Sequence, residues 1–151
     1  MDLEQEKSEV ARLKIRKFNG NVYVDIRKYY DNGTKPTQKG ISLRPDMFEK
    51  LANMKDLVEQ SIELVDKRIT SLSPQNAARA TVMRDGDDVK VSIELDRGHQ
   101  IGVSKFKSMM LIDVRNYYNG APTKKGISLK PELFRMIANL EDWKEAVRKL
   151  A

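Results

Sequence analysis

The sequence predicts an α+β fold: two copies of an antiparallel β-sheet with a C-terminal helix, packed as one pseudo-symmetric body. Three observations predict it. The first is an internal repeat, which has to be found before anything else because it governs the whole fold. VDIRKYYDNGTKPTQKGISLRP, Val24 to Pro45, returns as IDVRNYYNGAPTKKGISLKP, Ile112 to Pro131. Asp25, Arg27, Tyr29 and Tyr30 recur as Asp113, Arg115, Tyr117 and Tyr118, and Lys39-Gly40-Ile41-Ser42-Leu43 recurs as Lys125-Gly126-Ile127-Ser128-Leu129. The match extends to Lys17 and Phe18 (Lys105 and Phe106) and to Phe48, Ala52, Asn53 and Asp56 (Phe134, Ala138, Asn139 and Asp142). The second observation is periodicity, strand-like alternation followed by helical spacing in each copy. The third is size: a chain of 151 residues leaves each copy too small to bury a stable core alone, so the two are expected to share one.

The elements follow in order. Met1 to Ala11 is highly charged and is expected to be frayed or helical. Arg12 to Phe18 alternates, with Leu13 and Ile15 on one face and Lys14, Arg16 and Phe18 on the other. Asn19-Gly20 is a hairpin dipeptide, because both residues tolerate positive φ. Val22 to Tyr30 alternates again: Val22, Val24 and Ile26 face the core, and Tyr23, Asp25, Arg27 and Tyr29 face away. By this parity Tyr30 falls on the core side and closes its edge, unless a bulge at the strand end reverses it. Asp31 to Gln38, with Asn32-Gly33 and Pro36, reads as a loop, and Lys39 to Leu43 as a short strand. Pro45 suits a helix first turn, and Phe48, Leu51, Val58, Ile62, Val65 and Ile69 predict one amphipathic helix reaching about Ser71. Thr70 to Asn76, TSLSPQN, is the clearest linker. A hairpin turning at Asp85-Gly86 then leads into Val89 to Leu95, an extra strand with no evident counterpart in the first copy. Whether Ala80 to Arg84 fills that place stays open. The second copy closes with a helix from Pro131 to Ala151 whose apolar face is Phe134, Ile137, Leu140, Trp143, Val147 and Leu150. The expected division is 12–70 for the first repeat, 71–80 for the linker and 81–151 for the second.

Composition narrows the chemistry. The absence of cysteine excludes disulfides and thiolate metal sites. No apolar run is long enough to span a membrane, and the polar N-terminal stretch carries no signal-peptide hydrophobic region. The net charge of +6 and a pI near 9.5 favour a polyanionic partner. Catalytic constellations are missing. His99 stands alone beside a turn and reads as solvent-exposed, while Asp85, Asp87 and Asp88 lack the spacing of a calcium loop and read as a charged hairpin turn. Asp25 and Asp113 read as partners of neighbouring basic groups. Neither enzyme activity nor a cofactor or metal is expected.

A basic and aromatic constellation stands out instead. The first copy offers Arg16, Lys17, Phe18, Arg27, Tyr29, Tyr30, Lys35 and Lys39. The second offers Lys105, Phe106, Lys107, Arg115, Tyr117, Tyr118, Lys124 and Lys125. Aromatic rings beside cations on a sheet suit unpaired bases, since rings stack and cations hold phosphates. The competing reading makes the same rings the edge of the core.

The run from a strand through DIR-x-Y-Y, a Pro-containing loop, K-G-I-S-L-x-P and an amphipathic helix resembles the positive-cofactor-four family of single-stranded-DNA-binding transcriptional coactivators. The resemblance covers Leu13–Ile62 and Val89–Leu150. It implies that this chain carries both halves of a family dimer as an intramolecular pseudo-dimer, working in the nucleus with single-stranded DNA, or RNA, and the transcription machinery as partners. It also implies stacking roles for Phe18 and Phe106, a strand-closing aromatic at Tyr30 and Tyr118, and backbone contacts from Arg27, Arg115, Lys39, Lys124 and Lys125. The sequence departs from the family at the first hairpin, Asn19-Gly20-Asn21 and Lys107-Ser108-Met109 where Lys-Gly-Lys is usual. It departs again at Gln38, which replaces a basic residue, and the first copy keeps Arg16 where the second has Ser104. The alternative is an interaction adaptor that keeps the fold with a weakened DNA grip.

Overall fold

The computed structural model describes residues 2–6, 9–30 and 35–151, with side chains from Ala11 onward. The first repeat runs β1 (Asp2–Glu6), β2 (Glu9–Phe18), β3 (Asn21–Tyr30), β4 (Lys35–Leu43), α1 (Pro45–Ala52) and α2 (Lys55–Val65). A short helix, α3 (Pro74–Ala77), leads to β5 (Thr81–Asp85). The second repeat runs β6 (Asp88–Asp96), β7 (His99–Phe106), β8 (Met109–Tyr118), β9 (Ala121–Leu129), α4 (Pro131–Ala138) and α5 (Trp143–Leu150).

These strands form one antiparallel sheet in the order β1-β2-β3-β4-β9-β8-β7-β6-β5. The two repeats therefore meet where β4 pairs with β9, and Gly40 stands directly opposite Gly126. Matching strands lie at matching distances on either side of that pair, as a pseudo-twofold axis between the glycines requires. Local chemistry sets the hairpins. Asn19 (φ 52°) and Gly20 (φ 82°) take the left-handed conformation that a tight β2–β3 turn demands.

The helices exchange sides. α2 of the first repeat lies on β6 and β7 of the second, and α5 of the second lies on β2 and β3 of the first. One core results. Val24, Ile26, Ile41 and Leu43 face Phe48, Leu51, Leu57 and Val58, and Ile101, Val103, Ile112, Val114, Ile127 and Leu129 repeat the arrangement. Phe48 of α1 meets Trp143 of α5 edge to face, with centroids 4.8 Å apart. Each such large side chain, fully withdrawn from water, contributes on the order of 2 kcal/mol. The exchange means that α1 and α4 lie on their own repeat's strands while α2 and α5 cover the other's.

Several sequence expectations need correction. The N-terminal stretch is not frayed or helical: Asp2–Glu6 forms β1, paired to Glu9–Arg12, and supplies the missing counterpart of β6. β5 does not fill that place; it pairs with β6 and is the outer strand of the second half. The short strands are longer than expected, because Lys35–Gln38 and Ala121–Lys125 join β4 and β9 across an irregular register opposite β3 and β8. Asn32-Gly33 lies outside the described residues.

The single long helix of each copy is two helices. In the first, the Met54 N–H bonds back to Leu51 O in a tighter turn. α2 then stops at Val65 rather than near Ser71, since Lys67 turns left-handed (φ 63°) and the Arg68 N–H returns to Glu63 O. His99 is half-buried rather than exposed, its Nδ1 2.8 Å from Asp96 Oδ1. Partial burial pushes the Asp96 carboxyl upward, but hydrogen bonds from His99 and the Gly98 N–H, with the charge on His99, hold its pKa below the usual value.

Candidate nucleic-acid interface

The helices occupy one face of the sheet and leave the other open. Register decides what the open face carries, because residues directly opposite in an antiparallel pair share a face. Arg12 faces Arg27, Lys14 faces Asp25 and Arg16 faces Tyr23 across β2 and β3. In the second repeat Gln100 faces Arg115, Gly102 faces Asp113 and Ser104 faces Leu111 across β7 and β8.

A repeated network sits at the centre of this face. Arg27 donates from Nε and Nη2 to the two oxygens of Asp25 (3.3 and 3.1 Å) and from Nη1 to Thr37 O (3.0 Å), while the Ser42 hydroxyl donates to Asp25 Oδ1 (2.6 Å). Arg115 does the same with Asp113 (2.9 and 2.9 Å) and Thr123 O (3.0 Å), and Ser128 completes the set (2.8 Å). The Asp113 hydrogen bonds raise the Arg115 pKa further above its ordinary value against partial burial, helped by the Asp113 and Tyr117 charges. Each arginine lies flat over a glycine: a Cβ on Gly40 would come within 2.7 Å of Arg27, and one on Gly126 within 2.7 Å of Arg115. The glycine of K-G-I-S-L is thus the floor on which the guanidinium rests. The sequence reading of Asp25 and Asp113 as partners of basic groups agrees with this geometry.

Beside the network, at the junction of the repeats, lies an open depression of about 480 Å³. It is lined by Arg27, Gln38, Gly40, Ile41, Ser42, Asn116, Lys124 and Lys125.

The aromatic candidates divide. Tyr29 is buried on the open face beneath Arg12 and Lys14, whose charged groups lie 5.5 and 4.6 Å from its ring centre. Phe18, Phe106, Tyr30 and Tyr118 are exposed by 57, 62, 42 and 74%. Of the two readings of Tyr30, edge of the core or exposed ring, its position at the strand's last residue leaves it half uncovered, and Tyr29 is the buried ring. Phe18 and Phe106 stand on the open face at the tips of the β2–β3 and β7–β8 hairpins, beside Lys107, whose ammonium is 5.5 Å from the Phe106 ring centre.

The cations divide too. Arg16, Lys124 and Lys125 are exposed. Lys35 and Lys39 lie exposed along β4, each with an interaction of its own. Alternation carries Lys17 and Lys105 to the helix side, and Lys105 pairs there with Asp66 at 2.6 Å. Arg27 and Arg115 are held by their carboxylates. Lys14, Arg12, Ser42 and Asn116 join the surface without having been singled out. The signal for Lys14 was present, since it shares the parity of Arg16 and Phe18.

A family model described as Transcriptional Coactivator p15 (PC4) matches twice, over residues 5–54 and 93–140, more than half of the chain. Among curated proteins, the RNA polymerase II transcriptional coactivator KIWI of Arabidopsis thaliana is 37% identical over 57 residues, 36% of this chain and 53% of the relative. The chain thus spans about half the length of that relative. The double match marks the same two repeats that the sheet displays on either side of Gly40 and Gly126.

Proposed function

Since the chain belongs to the transcriptional coactivator p15 (PC4) family, we propose that its open sheet face binds single-stranded nucleic acid, DNA in preference to RNA, in a nuclear transcriptional role. The observation that carries this reading is the recurrence of exposed rings at matched positions, Phe18 with Phe106 and Tyr30 with Tyr118, beside the exposed cations Arg16, Lys107, Lys124 and Lys125. Exposed rings have no use for a duplex, whose base faces are stacked away, but they stack on any unpaired base. Binding is therefore largely independent of sequence, and it weakens with salt as phosphate neutralisation releases counterions. The repeats, 12–70 and 81–151, act as one unit joined by 71–80, with transcription proteins as further partners.

Fluorescence anisotropy with labelled single-stranded and duplex oligonucleotides, at low and at physiological salt, tests the reading. Tight single-strand binding, weaker duplex binding and a steep salt slope support it; equal affinity for both forms sinks it.

A second reading, an interaction adaptor with a weakened grip, draws on the commitment of Arg27, Arg115 and Lys105 to carboxylates within the fold. Wild-type affinity no higher than that of a variant neutralised at Arg16, Lys124 and Lys125 would favour it.

A further inference from the structure

We infer that the two nucleic-acid tracks related by the pseudo-twofold are unequal, and that one of them, built from both repeats, takes the first single strand. This rests on the proposed binding function and concerns how it is divided.

The inference follows from strand direction. β3 and β8 run in opposite directions, because three antiparallel steps separate them in the sheet. Asn21, the partner of Phe18, precedes Arg27 in β3, whereas Tyr118 follows Arg115 in β8. Both therefore lie toward the same end of the sheet. So do Lys14 and Arg16 on β2 and Lys124 and Lys125 on β9. Tyr30, Phe106, Gly102 and Ser104 lie toward the other end, with Gln38 and Lys39 on β4.

Repeat by repeat, the differences look compensating: the first copy has Lys14 and Arg16 where the second has Gly102 and Ser104, and the second has Lys124 where the first has Gln38. The axis cancels that compensation. It gathers Lys14, Arg16, Lys124 and Lys125 on one track and leaves Gly102, Ser104, Gln38 and Lys39 on its mate. Burial records the difference. Opposite Lys14, Asp25 is 1% exposed, while opposite Gly102 the side chain of Asp113 is 30% exposed, so the more exposed carboxylate lies on the weaker track. That track keeps Lys107 and Lys35 at its margins, where the stronger one has Asn19 and Ala121. Lys107 sits against Phe106 as Lys14 sits against Tyr29, and Lys35 and Lys39 each have an interaction of their own. Lys35, Lys39 and Lys107 face solvent as Arg16, Lys124 and Lys125 do, so the tracks differ in the number of cations and in the exposure of the carboxylate.

The test uses the full chain and a labelled oligo-dT of about eight nucleotides, short enough to occupy one track. The wild type is expected to show one tight and one weak site. Arg16→Ser with Lys124→Gln installs the residues of the other track at the same registers. It should weaken the tight site about tenfold at physiological salt and lower its salt slope by about 1.4. Gly102→Lys with Ser104→Arg and Gln38→Lys should yield two tight sites. A side chain at 102 has room, since its Cβ would meet only Asp113 Cβ, at 3.9 Å. Two equal sites in the wild type would overturn the inference. So would an equal loss from Lys39→Gln with Lys107→Ser, which removes charge from the other track. A wild type that binds no single strand at either salt would instead refute the binding function itself.

Discussion

At Gly126 a Cβ would sit 2.7 Å from Arg115 Cζ, closer than any real contact. Gly126→Ala therefore forces the guanidinium off its floor and away from Asp113, and should cost roughly 1–3 kcal/mol, read from chemical denaturation. An unchanged midpoint would mean that Arg115 moves aside freely. Phe18 and Phe106 pose the opposite case, large rings left mostly in water. Changing both to alanine should leave the melting temperature unchanged and weaken single-strand binding by about 1–3 kcal/mol per stacked base, measured by anisotropy. The sequence announced both behaviours unevenly. The recurrence of Asp25, Arg27 and Gly40 marked a constraint, and the carboxylate–guanidinium pairing was readable from their spacing. What the pattern hid was coverage. Alternation assigns a face, but not whether anything lies over it: Tyr29 keeps the open face that parity gave it yet is buried there under Arg12 and Lys14, and Tyr30 at the strand's end is half exposed.

Secondary-structure elements were legible where their periodicity was strong and illegible where charge disguised it. β1, with the sequence Asp-Leu-Glu-Gln-Glu, has little to mark it as a strand. It forms because β2 offers it a ladder, and charged residues suit a sheet edge. The helix break was misread for a different reason: Asn53 and Asn139 break no rule strongly enough to announce a turn, and Met54 and Leu57 carry the apolar spacing on past Leu51 without a gap. That break frees α5 to bring Trp143 against Phe48 of the other repeat. Trp143→Ala empties this buried contact and should cost about 3–5 kcal/mol. Circular dichroism is the right probe, since the chain has a single tryptophan and the variant has none.

Across the whole molecule, ion pairs between helices join the repeats on the face opposite the open one. Arg135 of α4 grips Glu59 of α2 in a bidentate pair (2.6 and 2.8 Å), and Lys144 of α5 meets Glu49 of α1 (3.1 Å). The hydrogen bonds from Arg135 lower the Glu59 pKa below its ordinary 4.5, against partial burial and with the help of the arginine charge. A carboxylate with a depressed folded pKa stabilises the fold above its unfolded value, and that contribution fades as pH falls through the folded value. The melting temperature should therefore drop on acidification from about pH 4.5 downward, and Glu59→Gln should flatten that part of the curve. The effect is small because the pair is half exposed.

The signs of these charges are not symmetric. Glu49 and Arg135 hold the same place in the two repeats, yet one is an acid and the other a base. Two first repeats meeting as the halves do would bring Glu49 toward Glu59, while two second repeats would set Arg135 between Lys144, a like charge, and Glu145, which holds the register of Glu59. The first half thus repels its own kind and attracts the other, so the chain is in effect a heterodimer whose partner code has been sealed into one polypeptide. Expressed separately and mixed, the first half should pair with the second ahead of itself, a preference that native mass spectrometry can count and that high salt should erode.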